Sequence, residues 1–114
     1  MAEHDENPNV DLVNRFLRAQ NLEQVARVDE AVELYESILE AGFDSIGPYD
    51  RLIEIYSNRA AHREVVRVAD AALAAVRTYP EKRRWYEQMR EAAEKAASSV
   101  PKAAPKRVGG APPA

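Results

Sequence analysis

Val28-Asp29-Glu30-Ala31-Val32-Glu33-Leu34-Tyr35-Glu36-Ser37-Ile38-Leu39 is the stretch that decides the fold. Val28, Ala31, Tyr35, Ile38 and Leu39 recur at steps of three and four, with acidic residues between them. At 3.6 residues per turn, such steps place the apolar side chains on one stripe of an α-helix. Gly42 follows as a stop, because glycine takes the left-handed conformation that helix C-termini favour.

The same spacing extends outward in both directions. Upstream, Asn7-Pro8 offers a cap and a first helical residue. Leu12, Phe16, Ala19, Leu22 and Ala26 then form the stripe of a first helix, flanked by Val13 and Leu17. Downstream, Ser45-Ile46-Gly47-Pro48 turns the chain into a third helix with Tyr49, Leu52, Ile53 and Tyr56 on one face. Asn58 to Ala61 supplies the next turn without a glycine or proline, and a fourth helix from His62 buries Val65, Val66, Ala69, Ala72, Leu73 and Val76. Thr78-Tyr79-Pro80-Glu81 has the form of a capping box, with Thr78 as cap and Glu81 reaching back to its amide. A fifth helix then carries Trp85, Met89, Ala92 and Ala96, with Trp85 read as the anchor of this helix in the core. No run of period two survives between these stripes, so the expected class is all-α.

Residues 1–7 are acidic and polar, and residues 99–114 are rich in proline, alanine and glycine, with Lys102, Lys106 and Arg107. Neither segment has enough apolar surface to repay its ordering entropy, so both are expected to be disordered, and the helical domain is placed at residues 8–98. An acidic start is not a signal peptide, and no stretch approaches the ~20 apolar residues of a membrane span. The chain has no cysteine, which removes disulfides, thiol nucleophiles and thiolate metal sites. These features give the expectation of a cytoplasmic protein.

The net charge of −3 is unevenly distributed. Residues 1–54 carry 13 acidic and 4 basic side chains, and residues 55–114 carry 6 acidic and 12 basic. Such asymmetry points either to a partner of one sign or to ordinary solvated helix faces.

Aligning the chain with itself shows a period of 34. Leu22 falls on Tyr56, Glu30 on Glu64, Ala31 on Val65, Tyr35 on Ala69, Ile38 on Ala72 and Leu39 on Leu73. A helix–turn–helix unit of that period resembles the tetratricopeptide repeat. Val28 to Leu39 is similar to the second helix of that family, and Tyr49-Asp50-Arg51-Leu52-Ile53-Glu54-Ile55-Tyr56 to its first. The resemblance implies a short α-solenoid of about two and a half repeats in five helices, the last helix acting as a cap. The sequence departs from the pattern at Arg15 and Arg18, at Ile53 and Val65, and at Phe43 and Arg77, where the closing proline is missing. Ala26 and Ala60 stand in place of the turn glycine.

In that family, ligands lie along the concave groove made by the first helix of each repeat. The groove implied here shows Phe16, Gln20 and Glu23, then Asp50, Glu54 and Asn58, then Arg84 and Gln88. Members that grip a C-terminal carboxylate do so with cations and asparagine. Asp50 and Glu54 instead imply a basic or mixed-polarity peptide as partner, and the function implied is that of a protein–protein interaction adaptor or scaffold.

Catalysis has little to work with. His4 and His62 are isolated, Glu33, Glu36 and Glu40 form an ordinary solvated face, and no glycine-rich loop is placed to cradle phosphate. The chain is therefore expected not to be an enzyme and to need no cofactor or metal. The alternative is a nucleic-acid-associated accessory protein. Arg59, Arg63, Arg67, Arg77, Lys82, Arg83, Arg84 and Arg90 gather cations in the fourth and fifth helices, beside Trp85 and Tyr86. A third reading is self-association, which would complete a short stack.

Overall fold

The computed structural model of the chain describes residues 8–99. They form five helices: α1 (Pro8–Gln24), α2 (Val28–Glu40), α3 (Ile46–Asn58), α4 (His62–Ala75) and α5 (Lys82–Ser99). The fold is all-α, with no strand among the described residues. None of these helices is long and apolar enough to cross a membrane. The expectations for the Asn7 cap, for residues 1–7 and for the tail beyond Ser99 lie outside the described residues.

Each helix packs chiefly on the next in sequence, and the stripes meet in one core. Tyr35, Tyr49, Leu52, Ile53, Val68, Ala69 and Ala72 are fully excluded from water. Among the described residues, every fully buried one is apolar or a tyrosine. Tyr49 donates its hydroxyl to the Phe43 carbonyl at 2.9 Å, which satisfies the polar tip of a buried ring. Burial raises the pKa of that hydroxyl to about 12, so it stays protonated at neutral pH.

Two turns share one construction 34 residues apart. At the end of α1, the Arg27 amide donates to the Leu22 carbonyl at 2.8 Å and the Ala26 amide to Glu23 at 3.0 Å. At the end of α3, Ala61 donates to Tyr56 at 2.9 Å and Ala60 to Ser57 at 3.0 Å. Both are Schellman closures, which place one residue in the left-handed region. That residue is Ala26 with φ of 64° in the first turn and Ala60 with φ of 56° in the second. Gly42 takes the same conformation after α2, as its position in the sequence indicates.

An L-residue pays ~1–2 kcal/mol for left-handed backbone, and glycine pays nothing there. Glycine also loses more entropy on folding, which offsets ~0.4–1 kcal/mol of the relief. Ala26→Gly and Ala60→Gly are each expected to stabilise the chain, by a net of about 0.5–1 kcal/mol in urea unfolding. Destabilisation by either change would contradict the turn geometry.

Three local readings need correction. Thr78 does not cap α5: its amide and hydroxyl, with the Arg77 amide, bind the Asp44 carboxylate at 2.8–3.1 Å, and the helix begins only at Lys82. A partner 34 residues upstream thus outcompetes the local box. Trp85 is only half-buried, whereas its neighbour Tyr86 is 1% exposed and anchors α5. Ala26 lies past the end of α1 and is exposed, so it takes no part in that helix's stripe.

Part of the uneven charge distribution is spent inside the fold, three acids of residues 1–54 pairing with bases of residues 55–114. Acids of the first half meet bases further along the chain: Glu23 with Arg51 at 2.5 Å, Asp29 with Arg59 at 2.9 Å, Glu36 with Arg67 at 2.6 Å and Asp50 with Lys82 at 3.0 Å. Exposed pairs of this kind contribute only ~0–1 kcal/mol each, so they orient neighbouring helices more than they stabilise them. Arg90 likewise joins Asp70 across the α4–α5 contact.

Candidate functional site

All but one of the sequence-implied groove residues divide into three groups in the structure. Phe16 and Glu23 on α1 are used in packing, Asp50, Glu54 and Asn58 on α3 line a cleft, and Arg84 and Gln88 on α5 point elsewhere. Gln20 is half-buried on α1.

Phe16 sits 5.9 Å from Tyr35, centroid to centroid, and covers Gly47 at the start of α3. A Cβ at position 47 would lie 2.5 Å from the Phe16 ring, so glycine there lets α1 and α3 approach. The ring therefore closes a helix contact and is not a free aromatic for a ligand.

Glu23 is equally committed. It accepts a hydrogen bond from the Tyr35 hydroxyl and a two-pronged one from Arg51, at 3.0 Å from Nε and 2.5 Å from Nη2. The Arg51 guanidinium, aided by Tyr35, holds the Glu23 carboxyl below its ordinary value of 4.5. The amides of Arg77 and Thr78 hold Asp44 below its ordinary 3.8. A carboxyl with a depressed folded pKa binds its proton more tightly when unfolded. Its stabilisation is full above the ordinary value and fades as pH falls through the depressed one. The melting temperature is accordingly expected to fall as the solution is acidified below pH 4.5, and Glu23→Gln to make that fall shallower. An unchanged slope in Glu23→Gln would contradict the assignment.

On α3, Asp50 accepts from the Tyr86 hydroxyl at 2.9 Å and pairs with Lys82 Nζ at 3.0 Å. The same ammonium lies 4.0 Å above the centroid of the Trp85 ring. Asp50 thus locks α5 against α3 and is not a free carboxylate for a partner. Glu54, one turn further, has a largely exposed side chain whose contact is Arg51 Nη1 at 2.6 Å.

Between α3 and α5 runs a cleft in two adjoining parts. The first, of about 340 Å³, is lined by Asp50, Ile53, Glu54, Ser57, Asn58, Trp85 and Met89. The second, of about 230 Å³, is lined by Ser57, His62, Val65, Met89, Ala92, Ala93 and Ala96. Ser57 and Met89 belong to both. The floor is apolar and the lip carries Glu54 and Asn58. Such a mixture of apolar lining and few polar groups suits a bound side chain or short segment.

The stripe Trp85, Met89, Ala92 and Ala96 is therefore real, but it walls the cleft. The register of α5 is fixed by Tyr86 and Ala93, which point into the core. A residue adjacent in sequence is turned by about 100°, so Trp85 and Met89 face α3 while Arg84 and Gln88 face solvent. The groove implied by the sequence does not include Met89 and Trp85, because an apolar stripe reads first as core.

Among the described residues of the basic half, five of the nine cations are occupied. Arg59, Arg67, Lys82 and Arg90 make the ion pairs above, and Arg83 donates to the Leu73 carbonyl at 2.9 Å. Among the described residues, Arg18, Arg63, Arg84 and Lys95 make no ion pair. They are spread over α1, α4 and α5. No group of three or more His, Cys, Asp and Glu side chains is arranged to hold a metal among the described residues. Comparison of the chain with protein-family models, with curated proteins and with solved structures finds no match.

Proposed function

We propose that the chain is a short tetratricopeptide-like α-solenoid that serves as an interaction adaptor, a binding protein and not a catalyst. On this reading it holds a segment of a partner protein in the cleft between α3 and α5. The carrying observation is the cleft itself: an apolar floor of Ile53, Trp85 and Met89 beneath the exposed carboxylate of Glu54. A peptide with one apolar anchor and a neighbouring lysine or arginine has the matching chemistry. The paired Schellman turns 34 residues apart support the repeat architecture, and the occupied cations of α4 and α5 favour a protein partner over nucleic acid.

The test compares partner capture by the wild-type chain and by Glu54→Lys. Glu54 is exposed, so its reversal leaves the helical spectrum unchanged. Loss of one attraction and gain of a repulsion across an interface is expected to weaken the partner by about tenfold or more. Arg84→Glu with Lys95→Glu is the control, since both cations are exposed and away from the cleft lining. If only the control change abolishes capture, and nuclease treatment does the same, the cleft is not the working surface.

A further inference from the structure

Five large apolar or aromatic side chains are exposed among the described residues, and three of them, Val10, Val13 and Leu17, stand on one helix. They are 50%, 43% and 51% exposed. At 3.6 residues per turn the three fall within about 60° of one another on α1, on the side away from buried Leu12 and Ala19. Asn14, Gln20, Asn21 and Gln24 fill the rest of that face, so it carries no charge along the helix. In a chain of which 31% of residues are charged, an outward face with an apolar centre and no charge has the composition of an interface.

The order of packing decides what can cover it. Each helix packs chiefly on the next, so α1 and α5 are the two ends of the fold, each with one side that no further helix covers. The open side of α5 carries Arg84, Glu87, Glu91 and Lys95, all exposed, the polar end that a helical stack needs for solubility. The open side of α1 has the opposite character. Seating α1 of one copy on α5 of the next would bury those charges, which disfavours head-to-tail stacking. Two copies of the α1 face meet no such cost. Asparagine and glutamine both donate and accept, so the amides around the apolar residues are complementary to themselves.

The charges at the edge set the direction. Asp11 and Arg18 lie two turns apart along the same edge of the face. Arg18 makes no ion pair, and Asp11 remains exposed beside Arg15. A two-fold axis between residues 14 and 15 makes the helices antiparallel and brings Arg18 of each copy level with Asp11 of the other. The same register sets Val13 beside Leu17 twice. A parallel pair would set each residue level with its own copy, and neither match would form.

We infer that two copies of this chain associate through Val10, Val13 and Leu17 of α1 in an antiparallel, two-fold symmetric pair, with Arg18 of each copy at Asp11 of the other. A two-fold pair closes on itself, so assembly stops at two. One helix against another is at the small end of specific interfaces, so the dissociation constant is on the order of 100 µM. No α1 residue lines the cleft between α3 and α5, so both clefts of the pair stay open.

Sedimentation equilibrium of the full-length chain, from about 10 µM to about 1 mM, tests the pairing. The mass of the wild type is expected to rise from that of one chain towards, and not past, that of two. Leu17→Lys sets an ammonium against an apolar face in both halves of the pair. It is expected to weaken association by about tenfold or more, with the helical spectrum unchanged because Leu17 is exposed. Val13→Lys is the second variant, with the same expected result. Direction is read from crosslinks. The chain has no cysteine, so Asn14→Cys, beside the two-fold axis, and Gln88→Cys, on the open side of α5, each introduce a single thiol. A short bis-maleimide is expected to join two Asn14→Cys chains and not two Gln88→Cys chains. A wild type that stays a single chain throughout overturns the inference, as do Leu17→Lys and Val13→Lys chains that pair as the wild type does. A mass that climbs past two chains also overturns it, because the α1 face is then seated elsewhere than on its own copy. Pairing without the Asn14→Cys crosslink overturns the antiparallel arrangement.

Discussion

Tyr86→Ala is expected to destabilise the chain by about 3–5 kcal/mol in urea unfolding, the range for truncating a buried aromatic. Tyr86 is 1% exposed, packs edge-on to Trp85 at 5.4 Å and donates to Asp50 across the α3–α5 contact. Burial and the Asp50 charge push the hydroxyl pKa up, so the donor is retained at every ordinary pH. Tyr86→Phe isolates the hydrogen bond and is expected to cost about 1–2 kcal/mol, because Lys82 still compensates Asp50. Trp85→Ala is expected to cost less than Tyr86→Ala, since the indole is half exposed. The reverse order would mean that Trp85 anchors the helix after all.

Ile38→Ala is the second large effect, with an expected loss of about 2–5 kcal/mol. The side chain is fully excluded from water on α2, a helix that packs against both α1 and α3. That loss is a large share of the ~5–15 kcal/mol that stabilises an ordinary domain. A cost below about 0.5 kcal/mol would place Ile38 at the surface.

Why one of these anchors can be read from the sequence and the other cannot is a matter of range. Ile38, Tyr35, Leu52 and Ile53 follow helical periodicity, a local signal, so their burial is legible in the amino-acid pattern alone. Trp85 and Tyr86 are adjacent, and both extend into plausible stripes through Met89. The choice between them is made by Asp50, 36 residues away, which takes the Tyr86 hydroxyl. Thr78 fails for the same reason, since the local box is overridden by Asp44.

Asp50, Glu54 and Asn58 line one cleft because four-residue steps on α3 put them on one face, a local signal that the sequence displays. Phe16 does not read as a packing residue because the space it fills is made by Gly47, a complementarity between two helices that no single stripe displays. The uneven charge distribution is legible, but its use is not. Pairings such as Glu23 with Arg51 and Glu36 with Arg67 form only once successive helices stack.

The proposed placement of a partner segment between α3 and α5 can be tested by photo-crosslinking. One reactive side chain is introduced at Asn58, exposed on the lip of the cleft, and the same group at Arg18, exposed on α1. A covalent adduct with the partner is expected from position 58 and none from position 18. Adducts from position 18 with none from position 58 would contradict the cleft as the binding site.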